Sequence, residues 1–542
     1  MTNPITDFAK SDCLFVIGSN FAENHPIVSR WVLDAKERGA VIVVADPRFT
    51  PTAWSADIFL PLLPGTDIAL LNALIHVIIA GGLHDQGFVA ERTTGIEALA
   101  KAVKDCSPEW AEKVTHVPAE RIVRAARAYA TAHAAAIIYC MGVTQHICGT
   151  DTVIDCANLA MLCGQVGRPG TGVNPLRGQD NVQGACDMGA LVNVYPGYQP
   201  VTDPETRGKF ASAWGCPADH LSLKPGLTVV EMGHAAQRGD VRAMLIMGEN
   251  PIVGDPNANH VREGLERLDF LAISELFLSE TAELADVVLP AASYAEKCGT
   301  KTATDRRVQW FSQAIEPIGE ARPDWQILCQ LAARLGLGKA FRYAGVEDVL
   351  EEITRLTPSY AGITPTRVQE TTGGIPWPCP TVDHPGTPIL YTDGFLKPEG
   401  RGVVTPVQHQ AAAEPTSGEY PLLLTTGRVV MHYNSGAMTR RTRALRTREP
   451  QLFLQIHPST AQRFGIADGT MLWVSTRRGK TQARARISRQ IDEGVVFMPF
   501  HFPGTNLLTT DALDPRAKIP EYKVAACKIE PVDGQARENT AE

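Results

Sequence analysis

Short apolar runs that end in polar loops, separated by helical patterns, constrain the fold of this chain more than any other feature. The first run, Cys13 to Ser19, is followed by a helical pattern from Ile27 to Arg38 and by a second run that ends at Asp46. This order predicts strand, helix, strand. Ligands of doubly wound sheets lie beyond the carboxyl ends of the strands. The residues expected there are Asn20, Glu23, Asp46 and Arg48. Spacing alone supports a nucleotide site weakly, because Gly18 is the only glycine of a GxGxxG pattern.

The same pattern continues toward the middle of the chain. A third run, Ala56 to Leu62, leads through Pro64 to Asp67 into a helix that ends near Ala80, and the strand AAIIYCMG leads into the loop Met141 to His146. Helix amino termini bind phosphates, although capping alone also explains Asp67. A lone histidine more often has a structural role, and we assign no catalytic role to His146. The candidate ligand contacts are Pro64, Gly65, Asp67, Met141 and Gly142.

The loop from Asn174 to Gly189, NPLRGQDNVQGACDMG, concentrates glycines, amides and one arginine in a segment that we predict to be neither helix nor strand. Glycines allow close backbone approach to a ligand, and the amide of Gln179 both donates and accepts hydrogen bonds. The planar guanidinium of Arg177 suits a small carboxylate or oxyanion. A surface loop with a solvated arginine is an equally good interpretation of the composition.

A second α/β unit follows, with strands predicted in VRAMLIMGENP, DFLAISELF and ADVVLP and a helix near Ala258 to Leu268. Small and polar residues again follow the strands: Gly248, Glu249, Asn250, Ser274 and Glu275. Carboxylates in this position can accept paired hydrogen bonds, but from the residues alone solvated helix caps are the better interpretation. The fold class is therefore α/β, with two doubly wound α/β domains.

Period-two alternation in YPLLLTTGR, QLFLQIHP, TMLWVSTRRGKTQARARIS and GVVFMPF predicts a carboxyl-terminal β-barrel, with one short helix at His457 to Gly465. The preceding segment is rich in Pro, Gly and Thr and is predicted to be a linker or cover. A chain of 542 residues is expected to form about three domains. The predicted division is 1-180, 181-356, 357-418 and 419-542.

Composition excludes several partners. With 44% hydrophobic residues, 20% charged residues and a formal net charge of -8, nucleic acid is not an expected partner. The apolar run Ile68 to Leu83 is too short and too interrupted to span a bilayer, and the first twelve residues do not form a signal peptide. We therefore predict no membrane insertion and a cytoplasmic location. The twelve cysteines contain no Cys-x2-Cys pair and are predicted to be reduced, mostly buried thiols.

The segments MGVTQH and CANLAMLCGQVGRPGTGVNPLRGQDNVQGACDMGALVNVYPGYQ resemble the catalytic (alpha) subunit of formate dehydrogenases, and similarity continues from about Ser11 to Glu530. This resemblance implies bis-molybdopterin guanine dinucleotide carrying molybdenum (or tungsten), bound by both α/β domains and the barrel, and an arginine at Arg177 that orients formate. It also selects the barrel positions Thr426, Arg428, Asn506, Tyr522 and Lys523. The family usually has an aromatic residue where this chain has Lys301.

Two parts of that family pattern are not found in the chain: a four-cysteine 4Fe-4S motif, and a cysteine or selenocysteine that binds molybdenum. The resemblance places both upstream of Cys13, and it also implies that the second α/β domain is incomplete at its amino-terminal part. No metal ligand is therefore predicted within these residues. We expect Met1 to be an internal methionine of a longer selenoprotein whose UGA codon was read as stop. A split subunit and a pseudogene product are the alternatives.

The predicted function is a molybdopterin-dependent oxidoreductase subunit that oxidises formate to carbon dioxide with transfer of two electrons, and that needs an upstream segment for activity. The expected partners are formate and electron-transfer subunits with iron-sulfur clusters; NAD, a hydrogenase and a quinone route remain open as electron acceptors. An enzyme of the assimilatory nitrate reductase type is the second hypothesis. An inactive cofactor-binding fragment is the third.

Overall fold

The computed structural model describes residues 1–532, and their contacts form two compact units. Unit 1 contains Met1–Leu176, Pro251–Arg262 and the chain from Ile389 onward. Unit 2 contains Arg177–Asn250 and Glu263–Pro388. The fourfold division of the chain made from the sequence stays a prediction.

Unit 1 opens with a five-stranded parallel sheet in the order β3-β2-β1-β5-β6, and a two-residue β4 lies outside that sheet. The strands are β1 (Cys13–Ile17), β2 (Val41–Ala45), β3 (Ile58–Leu60), β4 (Thr93–Thr94), β5 (Ala135–Tyr139) and β6 (Gly172–Pro175). In register, Cys13 lies opposite Val41 on one side and Ala135 on the other. Every residue of β1 and β5 is buried, as expected of parallel strands covered on both faces. The predicted strand, helix, strand order is confirmed.

Helices cover both faces of this sheet. They are α1 (Phe21–Asn24), α2 (Val28–Glu37), α3 (Asp67–Ala80), α4 (Gln86–Arg92), α5 (Ile96–Ala102), α6 (Pro108–Thr115), α7 (Ala119–Ala130), α8 (Met141–Thr144) and α9 (Gly149–Leu162). Helix α7 turns Ile122, Ala125, Ala126 and Tyr129 inward, which is the amphipathic stripe that its sequence predicts. Helix α3 is buried over most of its length. The long apolar run at Ile68 is thus a core helix.

The order of the strands reverses between β1 and β5, and ligands of doubly wound sheets lie beyond the strand ends at such a switch point. Gly18 follows β1 at φ +56°, and its carbonyl accepts a 3.0 Å hydrogen bond from the Gly142 amide after β5. A Cβ on Gly142 would lie 2.5 Å from the Gly18 Cα. The two glycines therefore allow the loops to meet backbone to backbone at this switch point.

Unit 2 holds a second parallel sheet and an antiparallel one, in the orders β11-β10-β9 and β12-β13-β14, and a small hairpin of β7 and β8. The strands are β7 (Val194–Tyr195), β8 (Gln199–Pro200), β9 (Ala243–Met247), β10 (Phe270–Glu275), β11 (Val287–Pro290), β12 (Gly299–Thr302), β13 (Arg307–Phe311) and β14 (Ile375–Pro376). The helices of this part of the chain are α10 (Val182–Asp187), α11 (Pro204–Trp214), α12 (Val229–Arg238), α13 (Pro251–Gly254), α14 (Ala258–Glu266), α15 (Asp324–Arg334), α16 (Val346–Leu356) and α17 (Pro365–Glu370). Helix α13 and the start of α14 belong to unit 1, and the other helices belong to unit 2. The predicted second α/β arrangement is confirmed.

The prediction that Asn174 to Gly189 is neither helix nor strand is wrong at both ends of the segment. Asn174 and Pro175 complete β6, and Val182–Asp187 forms the helix α10. The buried Asp187 carboxylate accepts hydrogen bonds from Gln183, one turn earlier, and from Tyr198 and Tyr360. These tertiary contacts stabilise a helix whose glycine-rich sequence has little helical propensity of its own.

The carboxyl-terminal part of unit 1 is a closed barrel in the order β16-β20-β17-β19-β18-β21. Its elements are β16 (Leu422–Gly427), α18 (Arg443–Arg448), β17 (Phe453–Ile456), α19 (Pro458–Arg463), β18 (Met471–Ser475), β19 (Lys480–Ile487), β20 (Val495–Pro499) and β21 (Ala525–Pro531), and β15 (Gly402–Val403) pairs with β4 before them. Alternate apolar side chains fill the barrel interior, among them Leu422, Leu424, Leu472, Val474 and Ala483. The predicted barrel and its short helix are confirmed.

All twelve cysteines are free thiols, and six of them are buried. Within residues 1–532, none of the helices has the length and apolar character that crossing a membrane requires.

Candidate functional site

The loop after β1 presents the first pair of predicted site residues. The Asn20 side-chain amide donates to the Glu23 carboxylate and accepts a 3.0 Å hydrogen bond from the Thr52 hydroxyl. Both residues lie in or next to the single turn of α1 and are half-buried. Ser19, which our sequence interpretation did not select, is 2% exposed, and its hydroxyl has no hydrogen-bond partner among the described residues. A buried hydroxyl without a partner is unfavourable, so Ser19 adds an unsatisfied donor to this edge of the sheet.

Asp46 and Arg48 follow β2 and connect the sheet to the barrel. The Asp46 carboxylate accepts a 2.9 Å hydrogen bond from the Arg48 amide, and the Arg48 Nε donates at 3.0 Å to Gln455 in β17. The Arg48 guanidinium also lies 3.5 Å from the ring centroid of Phe497 in β20. Burial raises the pKa of Asp46 to about 6, although its hydrogen bond from Arg48 and nearby cations oppose this shift.

The barrel contributes a second group of basic and polar residues. Lys523 is 8% exposed and donates at 2.9 Å to the Thr426 carbonyl, while the Thr426 hydroxyl donates at 2.8 Å to the Tyr522 carbonyl. Arg428 and Lys523 lie 5.6 and 6.0 Å from the centroid of the same ring, Phe500. Burial and the neighbouring Arg428 lower the pKa of Lys523 to about 8. This part of unit 1 thus carries buried positive charge.

The glycine turn before α3 and the loop after β5 belong to the same unit. Pro64, Gly65 and Asp67 are buried, and Gly65 has φ +83°; a Cβ at this position would lie 3.3 Å from the Val524 side chain and 3.6 Å from that of Ala412. Met141 and Gly142 open α8 and are half-buried. The amide of Lys523 donates at 3.4 Å to the carbonyl of Gln145, at the end of α8. The turn, the β5 loop and the barrel tail are therefore linked by direct contacts.

Two of the predicted barrel residues make hydrogen bonds to the backbone of the segment Pro251–Arg262. The Asn506 side-chain amide donates to the carbonyls of Val253 and Gly254 at 2.7 and 3.0 Å. The Tyr522 hydroxyl donates to the Gly254 carbonyl at 3.1 Å. The amide donors of Asn506 thus tie the barrel loop to α13.

Arg177 and Gln179 lie in unit 2, between β6 and α10. The Arg177 amide donates at 3.0 Å to the Thr304 hydroxyl, and its Nη1 lies 3.5 Å from the Cys186 sulfur. Both Arg177 and Gln179 are half-buried. Lys301 stands in β12, where the family usually has an aromatic residue, and it pairs with Asp180 of the Arg177 loop. Its ammonium nitrogen lies 5.3 and 5.0 Å from the ring centroids of Tyr294 and Phe311. The lysine side chain at this position therefore packs on two aromatic rings.

The residues at the carboxyl ends of β9 and β10 form the last predicted group, also in unit 2. Gly248 and Glu249 are exposed, whereas the buried Asn250 accepts from Thr281 and donates to Glu280 at 2.8 Å. The Ser274 hydroxyl donates to Asp324, and the Glu275 carboxylate accepts from the amide of Leu276 at 2.7 Å. The side chains of Asn250 and Glu275 thus cap local backbone or neighbouring loops.

Comparison with known proteins relates this arrangement to one family. Residues 1–334 match the family model described as "Molybdopterin oxidoreductase", and residues 422–526 match the "Molydopterin dinucleotide binding domain". The chain belongs to the molybdopterin oxidoreductase family. The first match contains the five-stranded sheet and the Arg177 loop, and the second contains most of the barrel. The molybdopterin dinucleotide cofactor predicted from the sequence is thereby confirmed.

Three relatives of known name illustrate the range of the family. F420-dependent formate dehydrogenase 1 subunit alpha of Methanococcus maripaludis is 48% identical over 98% of this chain and 78% of its own length. Formate dehydrogenase H of Escherichia coli is 42% identical over 99% of this chain and 75% of its own length. The assimilatory nitrate reductase catalytic subunit of Bacillus subtilis is 37% identical over 98% of this chain and 76% of its own length. The chain is thus an oxidoreductase of the formate dehydrogenase type.

Among solved structures, acetylene hydratase from Pelobacter acetylenicus has the same fold, with a TM-score of 0.76 over 97% of this chain and 78% of that chain. Its sequence identity is 22%, so this likeness concerns the fold alone. It agrees with the predicted α/β domains followed by a barrel.

Proposed function

We propose that this chain forms the main part of a catalytic subunit that oxidises formate to carbon dioxide, with transfer of two electrons. The observation that carries the proposal is the half-buried Arg177, fixed at its backbone by Thr304 in a loop of glycines and amides. Two relatives that are 48% and 42% identical to the chain over nearly its full length are named formate dehydrogenases.

Arg177 is the proposed substrate contact. Its guanidinium presents parallel N–H groups that match the two oxygens of a carboxylate, and this pairing fixes both position and orientation. A formate held in this way has its single C–H bond directed away from the guanidinium. Partial burial strengthens the interaction, because fewer water molecules compete for either partner. Gln179, two residues along the same loop, is the proposed neighbouring amide contact to the cofactor.

The cofactor residues of unit 1 fit a dinucleotide in charge. Arg48, Arg428 and Lys523 are basic, and the lowered pKa of Lys523 results first from burial and then from the positive charge of Arg428. Buried positive charge of this kind is stabilised by an anionic group such as a diphosphate. The unpartnered Ser19 hydroxyl supplies one further donor. We propose that these side chains, together with the glycine turn before α3, hold one guanine dinucleotide.

The remaining predicted residues have corresponding proposed roles. Asp46 and Glu23 accept hydrogen bonds from a guanine or ribose at the carboxyl edge of the sheet, and Gly248 to Asn250 with Ser274 and Glu275 do the same for a second dinucleotide in unit 2. Thr426, Asn506 and Tyr522 position the barrel loops, because their side chains bond to backbone carbonyls.

Formate oxidation releases one proton and two electrons. The molybdenum cofactor, when bound, supplies the two-electron acceptor that no amino-acid side chain provides. The electrons then leave through iron-sulfur centres, which we propose belong to an upstream segment and to partner subunits. Three relatives are named F420-dependent, so F420 is included among the electron acceptors to be tested, with NAD, a hydrogenase and a quinone.

The test is substrate turnover by the native enzyme that contains this chain, purified from its source and analysed for molybdenum, tungsten and pterin. We expect formate-dependent reduction of a viologen dye and no oxidation of reduced viologen by nitrate. Cofactor-loaded enzyme that reduces nitrate and leaves formate untouched would contradict the proposal. That outcome would favour the nitrate reductase alternative, which rests on the relative from Bacillus subtilis.

A further inference from the structure

One histidine outside the proposed substrate contact lies between two buried carboxylates. His146 is 2% exposed and follows α8. Its Nε2 is 2.9 Å from the Gly142 carbonyl and 3.8 Å from an Asp67 carboxylate oxygen, and its Nδ1 is 3.6 Å from a Glu521 carboxylate oxygen. The side chains of Asp67 and Glu521 are 9% and 1% exposed. All four residues belong to unit 1.

Each neighbour of His146 belongs to a different segment that carries proposed cofactor contacts. Asp67 is the first residue of α3, directly after the Pro64–Gly65 turn. Gly142 is the glycine that meets the loop after β1. Glu521 directly precedes Tyr522 and Lys523 in the barrel tail, and its carboxylate also accepts from the amides of Ile147 and Ala413 at 3.5 and 2.9 Å. The imidazole is therefore the point at which the three segments meet.

The charges around the ring favour its protonated form. Burial tends to lower the pKa of His146, but the nearby Glu521 carboxylate, the charge of Asp67 and the Gly142 carbonyl raise it, so that the pKa lies above its ordinary value. Burial raises the pKa of Asp67, and His146 opposes that shift. Both ring nitrogens face acceptors, and only imidazolium donates from both.

The other titratable groups near the ring do not replace its charge. Cys148 at the start of α9 has a pKa raised to about 12 by burial and by Asp67, so it is a neutral thiol. Asp151, one turn later, pairs with Arg516. Without a cation at position 146, two buried carboxylates would face each other, which is costly in a medium of low dielectric constant.

We propose that His146, as an imidazolium, is a positioning residue that joins the α3 turn, the β5 loop and the barrel tail and so shapes the dinucleotide pocket. This inference rests on the proposed function only through the cofactor contacts of those three segments. The ionic bridge itself is a property of the folded chain and is measurable without cofactor.

The pH dependence follows from the raised pKa. A histidine that binds its proton more tightly in the folded state contributes stability that is fully present below its unfolded pKa of about 6.5 and is lost as the pH rises through the higher folded pKa. A glutamine at this position keeps a hydrogen-bond donor but not the charge. The stability difference between parent and His146→Gln is therefore largest near pH 6 and shrinks at alkaline pH.

The experiment measures the midpoint of thermal unfolding of the cofactor-free chain from pH 6 to pH 9, for the parent and for His146→Gln, Glu521→Gln and the double variant. We expect His146→Gln to lower the midpoint by about 5 °C near pH 6 and by clearly less at pH 9. The double variant should be less destabilised than the sum of the single variants, because removing Glu521 relieves the repulsion that His146→Gln creates.

His501→Gln is the matched control. His501 is also buried, but burial lowers its pKa to about 3, so it stays neutral in the folded chain. Because the unfolded chain still binds a proton at this histidine near pH 6, the deficit of His501→Gln should grow, not shrink, from pH 6 to pH 9. A deficit of His146→Gln that does not shrink toward pH 9, or that is additive with Glu521→Gln, would overturn the proposal and leave His146 as a neutral packing residue.

Pterin content of the native enzyme provides the second measurement. We expect His146→Gln to retain less than half of the parental pterin after gel filtration at pH 7. Parental pterin content in a variant with the pH-dependent stability deficit would contradict the positioning role. A parent enzyme that itself contains no pterin would instead contradict the proposed function, so the two failures are distinguishable.

Discussion

Arg177 provides the most direct test at the scale of a single residue. Arg177→Lys keeps the positive charge but loses the two parallel N–H donors, so we expect kcat/KM for formate to fall by at least about tenfold in the native enzyme. Pterin and molybdenum content should stay at the parental level. Arg238→Lys is the control, because Arg238 lies at the surface in an exposed pair with Asp240. Parental kinetics for Arg177→Lys would make the arginine structural.

Lys523 gives a prediction about pH. Its pKa of about 8 means that its ammonium group is present at pH 7 and is largely lost at pH 9. We therefore expect guanosine diphosphate, used as a probe in calorimetry with the purified chain, to bind more weakly at pH 9 than at pH 7. Lys523→Gln should bind weakly at both values. Lys480→Gln, at an exposed lysine of β19, is the control and should behave like the parent. Identical pH profiles for Lys523→Gln and the parent would exclude a role of the Lys523 charge in binding the nucleotide.

At the scale of elements, the contact between the loops after β1 and β5 depends on two glycines. A Cβ on Gly142 would lie 2.5 Å from the Gly18 Cα, so Gly142→Ala must push the two loops apart and should destabilise the chain by about 2 kcal/mol or more. Gly87→Ala is the control, since its Cβ would meet only an Asp85 oxygen at 3.5 Å. Equal unfolding midpoints for the two variants would show that the loops do not need this close approach.

The elements were largely predictable because their patterns are local. β1, β2 and β5 are continuous apolar runs of five residues, and the barrel strands alternate, so period and length alone define them. Helix α10 was missed for the opposite reason. Its stability depends on Asp187, whose partners Tyr198 and Tyr360 are distant in sequence, one by eleven and the other by 173 residues.

The site was predictable only in part, for a related reason. Asp46 and Arg48 follow a strand, and a rule about strand ends finds them. Ser19 was missed because its lack of a partner is visible only in three dimensions. The absence of a catalytic role for His146 stays a prediction, and the two carboxylates that face it come from positions 67 and 521, which no local spacing indicates. The packing of Lys301 on Tyr294 and Phe311 was likewise invisible in the sequence.

At the scale of the whole molecule, we expect the purified 542-residue chain to show no formate-dependent dye reduction by itself. This expectation rests on the prediction that the molybdenum ligand and the 4Fe-4S cysteines lie upstream of these residues; two relatives are longer than the part that matches this chain. The measurement is an anaerobic viologen assay on the chain before and after addition of the remaining subunits. Turnover by the chain alone would show that it contains its own metal ligand.

Unit 1 is built from segments that are far apart in the chain, which affects how it folds during synthesis. The barrel closes only when β21, at residues Ala525–Pro531, pairs with β16 and β18, and the Lys523 amide reaches back to Gln145. Domains form from the amino end as a chain leaves the ribosome, but here the first sheet receives barrel contacts from residues that are synthesised much later, such as Lys523. Nascent chains therefore keep unpaired strand edges until β21 has been synthesised. We expect a chain stopped after Lys518 to be degraded or held by chaperones, so that only polypeptides that contain β21 are available for cofactor loading.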